Sequence, residues 1–137
     1  MTIKEVFSYR RLEPEWVKPL VTCIKEIPEH IFFEQDGSPH KEEVIQFDEQ
    51  LFKRLTAKFG PDVKRNVRTM ARENQFETDL LLPTKPMTLI EIEKGKQPRL
   101  ELDIMKIINS IYRSSSEYGY GCIIAPTTYI RLNLAGN

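Results

Sequence analysis

The apolar positions of this chain change period several times, and each change marks a predicted element. Residues 4–12 alternate loosely and read as a strand. Trp16, Leu20, Ile24 and Ile27 recur at helical spacing and predict a helix over 15–27. It should begin near Lys18, because Pro19 is tolerated only in a first turn. Residues 28–43 hold Pro28, a short apolar Ile31-Phe32-Phe33 and the turn signal Asp36-Gly37-Ser38-Pro39. Val44, Phe47, Leu51, Leu55 and Phe59, with Phe52 adjacent, then form an amphipathic stripe that predicts a helix over 44–59, stopped by Gly60-Pro61.

The second half alternates between strands and a helix. Residues 63–72 read as a strand with basic side chains at several positions. Two short strands follow at 77–82 and 87–94, separated by the turn-like Thr84-Lys85-Pro86. After the loop Gly95-Lys96-Gln97-Pro98 a helix is predicted over 99–113, with Leu100, Ile104, Ile107, Ile108 and Ile111 marking its buried face. The apolar run Gly121-Cys122-Ile123-Ile124-Ala125-Pro126 suits a strand buried on both faces, as in the parallel part of a mixed sheet. A strand, helix, strand succession normally makes a right-handed parallel crossover. The fold class is therefore α/β, with the order helix, three strands, helix, strand from residue 44 onward.

Composition narrows the function classes without choosing one. The 137 residues suit a single domain with its own core, 40% apolar and 29% charged. Twenty basic and twenty acidic side chains cancel, so a nucleic-acid footprint must come from local clustering. Cys23 and Cys122 form no zinc pattern, and Cys122 reads as a small core residue. His30 and His40 read as surface residues. No apolar run reaches the length of a membrane span, and the N-terminus does not read as a signal peptide, so a reduced cytoplasmic protein with no membrane partner is expected.

The candidate chemistry lies in the two short strands. Asp79 is followed, after eleven intervening residues, by Glu91-Ile92-Glu93-Lys94. Successive strand side chains point to opposite faces, so Glu91 and Glu93 share one face and Ile90 and Ile92 the other. If the strands form a hairpin, Asp79 lies beside Glu91. Carboxylates so placed repel and raise each other's pKa, and a divalent cation is the commonest reason to tolerate them. Mg²⁺ takes one or two carboxylates and keeps several waters, leaving room for a phosphate. The pattern points to metal-dependent phosphodiester chemistry. The competing reading makes Asp79 the end of an edge strand, and Glu91 and Glu93 a solvated strand face. Glu49, on the 44–59 helix, is an auxiliary acid or an exposed helix residue.

At this point the chain resembles the PD-(D/E)XK nuclease superfamily, and within it restriction endonucleases of the BglII/BamHI kind. The resemblance runs over about residues 44–128 and rests on Asp79, on Glu91-Ile92-Glu93-Lys94-Gly95, on Leu102-Asp103-Ile104-Met105-Lys106 and on Cys122-Ile123-Ile124-Ala125-Pro126-Thr127. It implies a restriction-endonuclease-like core, a mixed sheet flanked by helices. Residues 1–43 would then be an N-terminal extension and 129–137 a tail. It also implies Asp79 and Glu91 as metal ligands, Mg²⁺ as cofactor with Mn²⁺ able to substitute, DNA as substrate, no nucleotide cofactor, and a homodimer. The superfamily most often has Lys two residues after the first glutamate, where this chain has Glu93. Glu93 can instead add a ligand or accept the proton of the attacking water. Lys94 is out of phase unless a bulge near Gly95 turns it inward, and Lys106 is another stand-in for the missing charge, or simply the helical ion-pair partner of Asp103. Arg68, Arg72, Lys94, Lys96 and Arg99, with Lys64, Arg65 and Lys85, concentrate around the site as a candidate phosphate track.

Three functions follow. One is an Mg²⁺-dependent DNA endonuclease. The second is a catalytically inactive protein of the same fold that binds nucleic acid or a protein. The third is an interaction protein with no nuclease ancestry, whose acidic strand is only a surface.

Overall fold

The computed structural model describes residues 14–28, 41–69, 76–93 and 97–125, with the side chains of 41–46 and 97–98 excepted. In chain order the elements are α1 (Val17–Lys25), α2 (Lys41–Phe59), β1 (Lys64–Arg68), β2 (Glu77–Leu82), β3 (Met87–Ile92), α3 (Gln97–Arg113) and β4 (Tyr118–Ile124). They divide between two compact units, Met1–Gly60 and Pro61–Asn137. The expected strand at 4–12, His30 and His40 lie outside the described residues. No helix among the described residues is long and apolar enough to cross a membrane.

In the first unit α1 packs against α2. The predicted stripes supply the buried side chains: Leu20, Ile24 and Ile27 on one side, Phe47, Leu51 and Leu55 on the other, with Cys23 beside them. Helix α1 starts at Val17, so Pro19 sits in the first turn, where a missing N–H costs no helical bond. Arg54 ties the end of α1 to α2, donating from Nη2 to the Glu26 carbonyl at 3.2 Å. Helix α2 begins at Lys41, ahead of the expected 44, and stops at Phe59 as predicted. Gly60 ends it at φ +96, a left-handed conformation that side chains disfavour, and its N–H bonds to the Thr56 carbonyl at 2.9 Å.

The second unit is a mixed four-stranded sheet of order β1-β2-β3-β4 with α3 linking β3 to β4. β1–β2 and β2–β3 are antiparallel and β3–β4 is parallel, as a helical crossover allows. The protein is α/β, with three helices and this sheet among its described residues. Leu81, Leu89, Ile107 and Tyr118 form the core between α3 and the sheet, with Val67, Met87, Ile111 and Ile123 around it. Ile90 and Ile92 are buried on the opposite side of β3, as strand alternation requires. The Thr69 and Ser110 hydroxyls, 2.7 Å apart, add a polar clasp between the end of β1 and α3.

Three sequence expectations are corrected here. β4 is not buried on both faces. It pairs only with β3 among the described residues, and most of it is half-exposed or exposed. An apolar run signals a strand, not how many neighbours it has. Cys122 is accordingly half-buried rather than a core residue, though its surroundings still push the thiol up to about 11. On α3, Ile107 is buried but Ile104 and Ile108 are exposed. Lys106 and Ser110 take inward positions, for an ion pair and the Thr69 clasp, and this rotates two of the predicted isoleucines to the outside.

Gly121 lets α3 sit close to β4. A Cβ there would strike the Ile107 side chain, which is β-branched and stiff about χ1. Gly121→Ala is expected to lower stability by about 1–3 kcal/mol. A denaturant midpoint shifted down at unchanged slope would verify this.

Candidate active site

The hairpin expected from the sequence forms. β2 and β3 pair in the register Leu80↔Ile90, Leu81↔Leu89 and Leu82↔Thr88. Continued one step, this register would set Asp79 opposite Glu91. By strand alternation both follow Leu81 and Leu89 onto the face covered by α3. The ladder changes at this step, where the backbone N–H of Ile92 donates to Asp79 Oδ2 at 2.8 Å. This bond fixes the Asp79 carboxylate against β3.

Glu91 is only 3% exposed. Burial, and next the charge of Asp79, push its carboxyl up to about 7, against the opposing pull of Lys106. Lys106 Nζ reaches Glu91 Oε2 at 3.2 Å and Asp103 Oδ1 at 3.4 Å. Burial disfavours the ammonium, but Glu91 and Asp103 outweigh it and hold it above its ordinary value. The helical pair Asp103–Lys106 is thus present, and it is directed into the site. Carboxylates from two strands and one ammonium from the crossover helix meet in a largely buried spot.

Glu93 follows directly beyond β3 and is also buried; its N–H donates to the Ile124 carbonyl at 2.9 Å. Neither Glu91 nor Glu93 lies on the solvated face that the competing reading required. No group of three or more Asp, Glu, His or Cys residues that could hold a metal ion is present among the described residues. Arg68 is exposed on β1, and Arg99 is exposed in the early part of α3. Lys64 and Arg65 are exposed beside Arg68 on β1, the outermost strand among the described residues, and Lys85 is exposed in the β2–β3 connection. Arg72, Lys94 and Lys96 lie outside the described residues. Glu49 is exposed on α2 of the first unit.

No family model, curated protein or solved structure matches the chain. Lys106 is the residue that the sequence offered as a stand-in for the missing charge, with Asp103 as its helical partner. Asp103 and Lys106 could be paired by their spacing, but the reach of Lys106 to Glu91 is a tertiary contact. The Thr69–Ser110 clasp joins residues 41 apart and leaves no local pattern.

Proposed function

We propose that the protein is a divalent-metal-dependent nuclease of the PD-(D/E)XK kind, hydrolysing phosphodiester bonds in DNA. The observation that carries this reading is the meeting of Asp79, Glu91 and Lys106 on one face of a mixed sheet. The strand order and the β3–α3–β4 crossover agree with a restriction-endonuclease-like core. Asp79 and Glu91 fit Mg²⁺, or Mn²⁺ in its place, since such an ion is content with one or two carboxylates and several waters. A cation held there would supply Lewis-acid activation of water and charge stabilisation at the leaving oxygen.

The chain's own residues have separate tasks. Asp79 and Glu91 would hold the cation. The Ile92 N–H keeps the Asp79 carboxylate in place. Lys106 supplies, from α3, the positive charge that the superfamily usually carries on the strand at the position of Glu93. Glu93 is the next acid along and the candidate acceptor of the water proton. Arg68 and Arg99, with the other basic residues of β1, would meet the phosphate backbone, and Arg72, Lys94 and Lys96 extend the same sequence cluster.

The test is cleavage of supercoiled plasmid and single-stranded DNA with Mg²⁺, Mn²⁺ or EDTA. Metal-dependent nicking supports the proposal, and intact DNA with every ion counts against it. Lys106→Met is expected to lower cleavage by about 10²–10³-fold, the scale of losing one charge-stabilising donor. Calorimetric divalent binding should stay equal or tighten, because a competing cation has been removed. Parallel loss of binding and cleavage would make Lys106 merely structural.

A second reading is favoured by the ion pair itself. Lys106 already neutralises Glu91, as it would in an inactive derivative that binds nucleic acid or a protein. That version predicts DNA binding indifferent to EDTA and no cutting.

A further inference from the structure

Strand β2 leaves the regular ladder on both sides where the candidate site begins. Toward β1 the register runs Lys64↔Leu81, Arg65↔Leu80, then Val67↔Thr78 and Arg68↔Glu77, and it passes over Asn66 and Asp79. Asn66 turns there to φ +52, a left-handed conformation inside a strand. Asparagine tolerates it better than most residues, and backbone outliers of this kind collect at active sites. Toward β3 the register ends at Leu80↔Ile90. Continued two steps, it would set Thr78 opposite Ile92, whose N–H donates instead to Asp79 Oδ2 at 2.8 Å.

An acid released from the ladder on both sides needs another restraint, and its neighbour Thr78 offers one. Thr78 is 2% exposed. Its hydroxyl donates to the Ile90 carbonyl at 3.2 Å, with the Leu80 carbonyl at 3.4 Å. A hydroxyl has a single proton, so the shorter bond, across to β3, is the main one. Adjacent side chains of β2 thus grip the end of β3 where backbone pairing stops, Thr78 on a carbonyl and Asp79 on an N–H. Burying a hydroxyl costs free energy that a valine of similar shape would avoid, so the bond to β3 is what threonine adds here.

We infer that Thr78 is a positioning residue for Asp79. Its hydroxyl ties β2 to β3 beside the Asp79–Ile92 bond and so fixes where the carboxylate is presented to a cation. The role toward a cation rests on the nuclease reading; the clamp itself rests on the hairpin alone. The test compares the full-length wild type with Thr78→Val and Thr78→Ser. The Ile92 amide is followed by NMR, because its resonance reports the carboxylate it donates to. Thr78→Val should shift that resonance and weaken calorimetric Mn²⁺ binding by about 10–100-fold, the range for a residue that orients a metal ligand. The Mn²⁺ concentration for half-maximal plasmid cleavage should rise in step. Thr78→Ser keeps the hydroxyl and should restore all three. Thr78→Ala beside Thr78→Ser repeats the comparison at smaller volume if valine does not fold. An unmoved Ile92 resonance in Thr78→Val overturns the inference. So does unchanged Mn²⁺ affinity against a wild type that binds the ion, or a serine variant that restores nothing. A wild type that neither binds Mn²⁺ nor cuts DNA overturns the nuclease reading instead, and the Ile92 resonance alone then decides whether Thr78 places Asp79.

Discussion

Glu91→Gln and Asp79→Asn are each expected to reduce metal-dependent DNA cleavage by more than about 100-fold, beyond the usual cost of disturbing a residue that only supports a metal ligand. Both substitutions keep the side-chain shape and an acceptor oxygen, and remove the charge. Glutamine can still accept from Lys106, so the α3 contact survives. Asparagine can still accept from the Ile92 N–H, so the end of the hairpin survives. Alanine at position 91 would be a poorer test, because it leaves the half-buried Lys106 ammonium short of its closest carboxylate, and breaking a buried pair is destabilising in its own right. Calorimetry with Mg²⁺ or Mn²⁺ should show the lost divalent binding beside the lost cleavage. Variants that fold and still cut like the wild type would remove both residues from the site.

Leu89→Ala is expected to cost about 2–5 kcal/mol, the range for emptying a buried leucine site. Leu89 is 1% exposed at the middle of β3, between Leu81 on β2 and Gly121 on β4, with Ile107 of α3 in the same cluster. Neighbours cannot close the gap easily, since strand spacing is fixed by the ladders on both sides. Against a typical total of about 5–15 kcal/mol this is a large fraction. The loss should appear as a lower urea midpoint. Because Leu89 lies two residues before Glu91 on the same face, the variant should also loosen the seat of α3 and lower any cleavage more than stability at the assay temperature accounts for.

Much of this arrangement was legible in the sequence, for physical reasons that differ by element. The period of Phe47, Leu51 and Leu55 and the stop at Gly60 gave α2, because stripe and terminator are both local. Alternation around Leu80–Leu82 and Leu89–Ile92 gave the hairpin and its faces, and the short connection set Asp79 across from Glu91. The outward turn of Ile104 and Ile108 was hidden. Five apolar positions on a helix say that it has an apolar face, but not that two polar side chains, Lys106 and Ser110, hold places on the inner side. The half-exposure of β4 was hidden for a related reason: an apolar run carries no record of its neighbours. The reach of Lys106 to Glu91 depends on how α3 is seated, which Gly121 and Ile107 decide together.

The connectivity of the sheet also sets an order of assembly. Asp79 and Glu91 are joined by a hairpin whose connection is residues 83–86, so little loop entropy opposes their meeting. Lys106 arrives only when the chain has passed through α3 and β4 has found its parallel place on β3, a slower pairing of more distant segments. Early in folding the two acids are therefore expected to face each other without their lysine, which would make this spot more acidic in the assembling chain than in the finished one. In pulse-labelled hydrogen exchange, the β2–β3 amides should gain protection before those of β4.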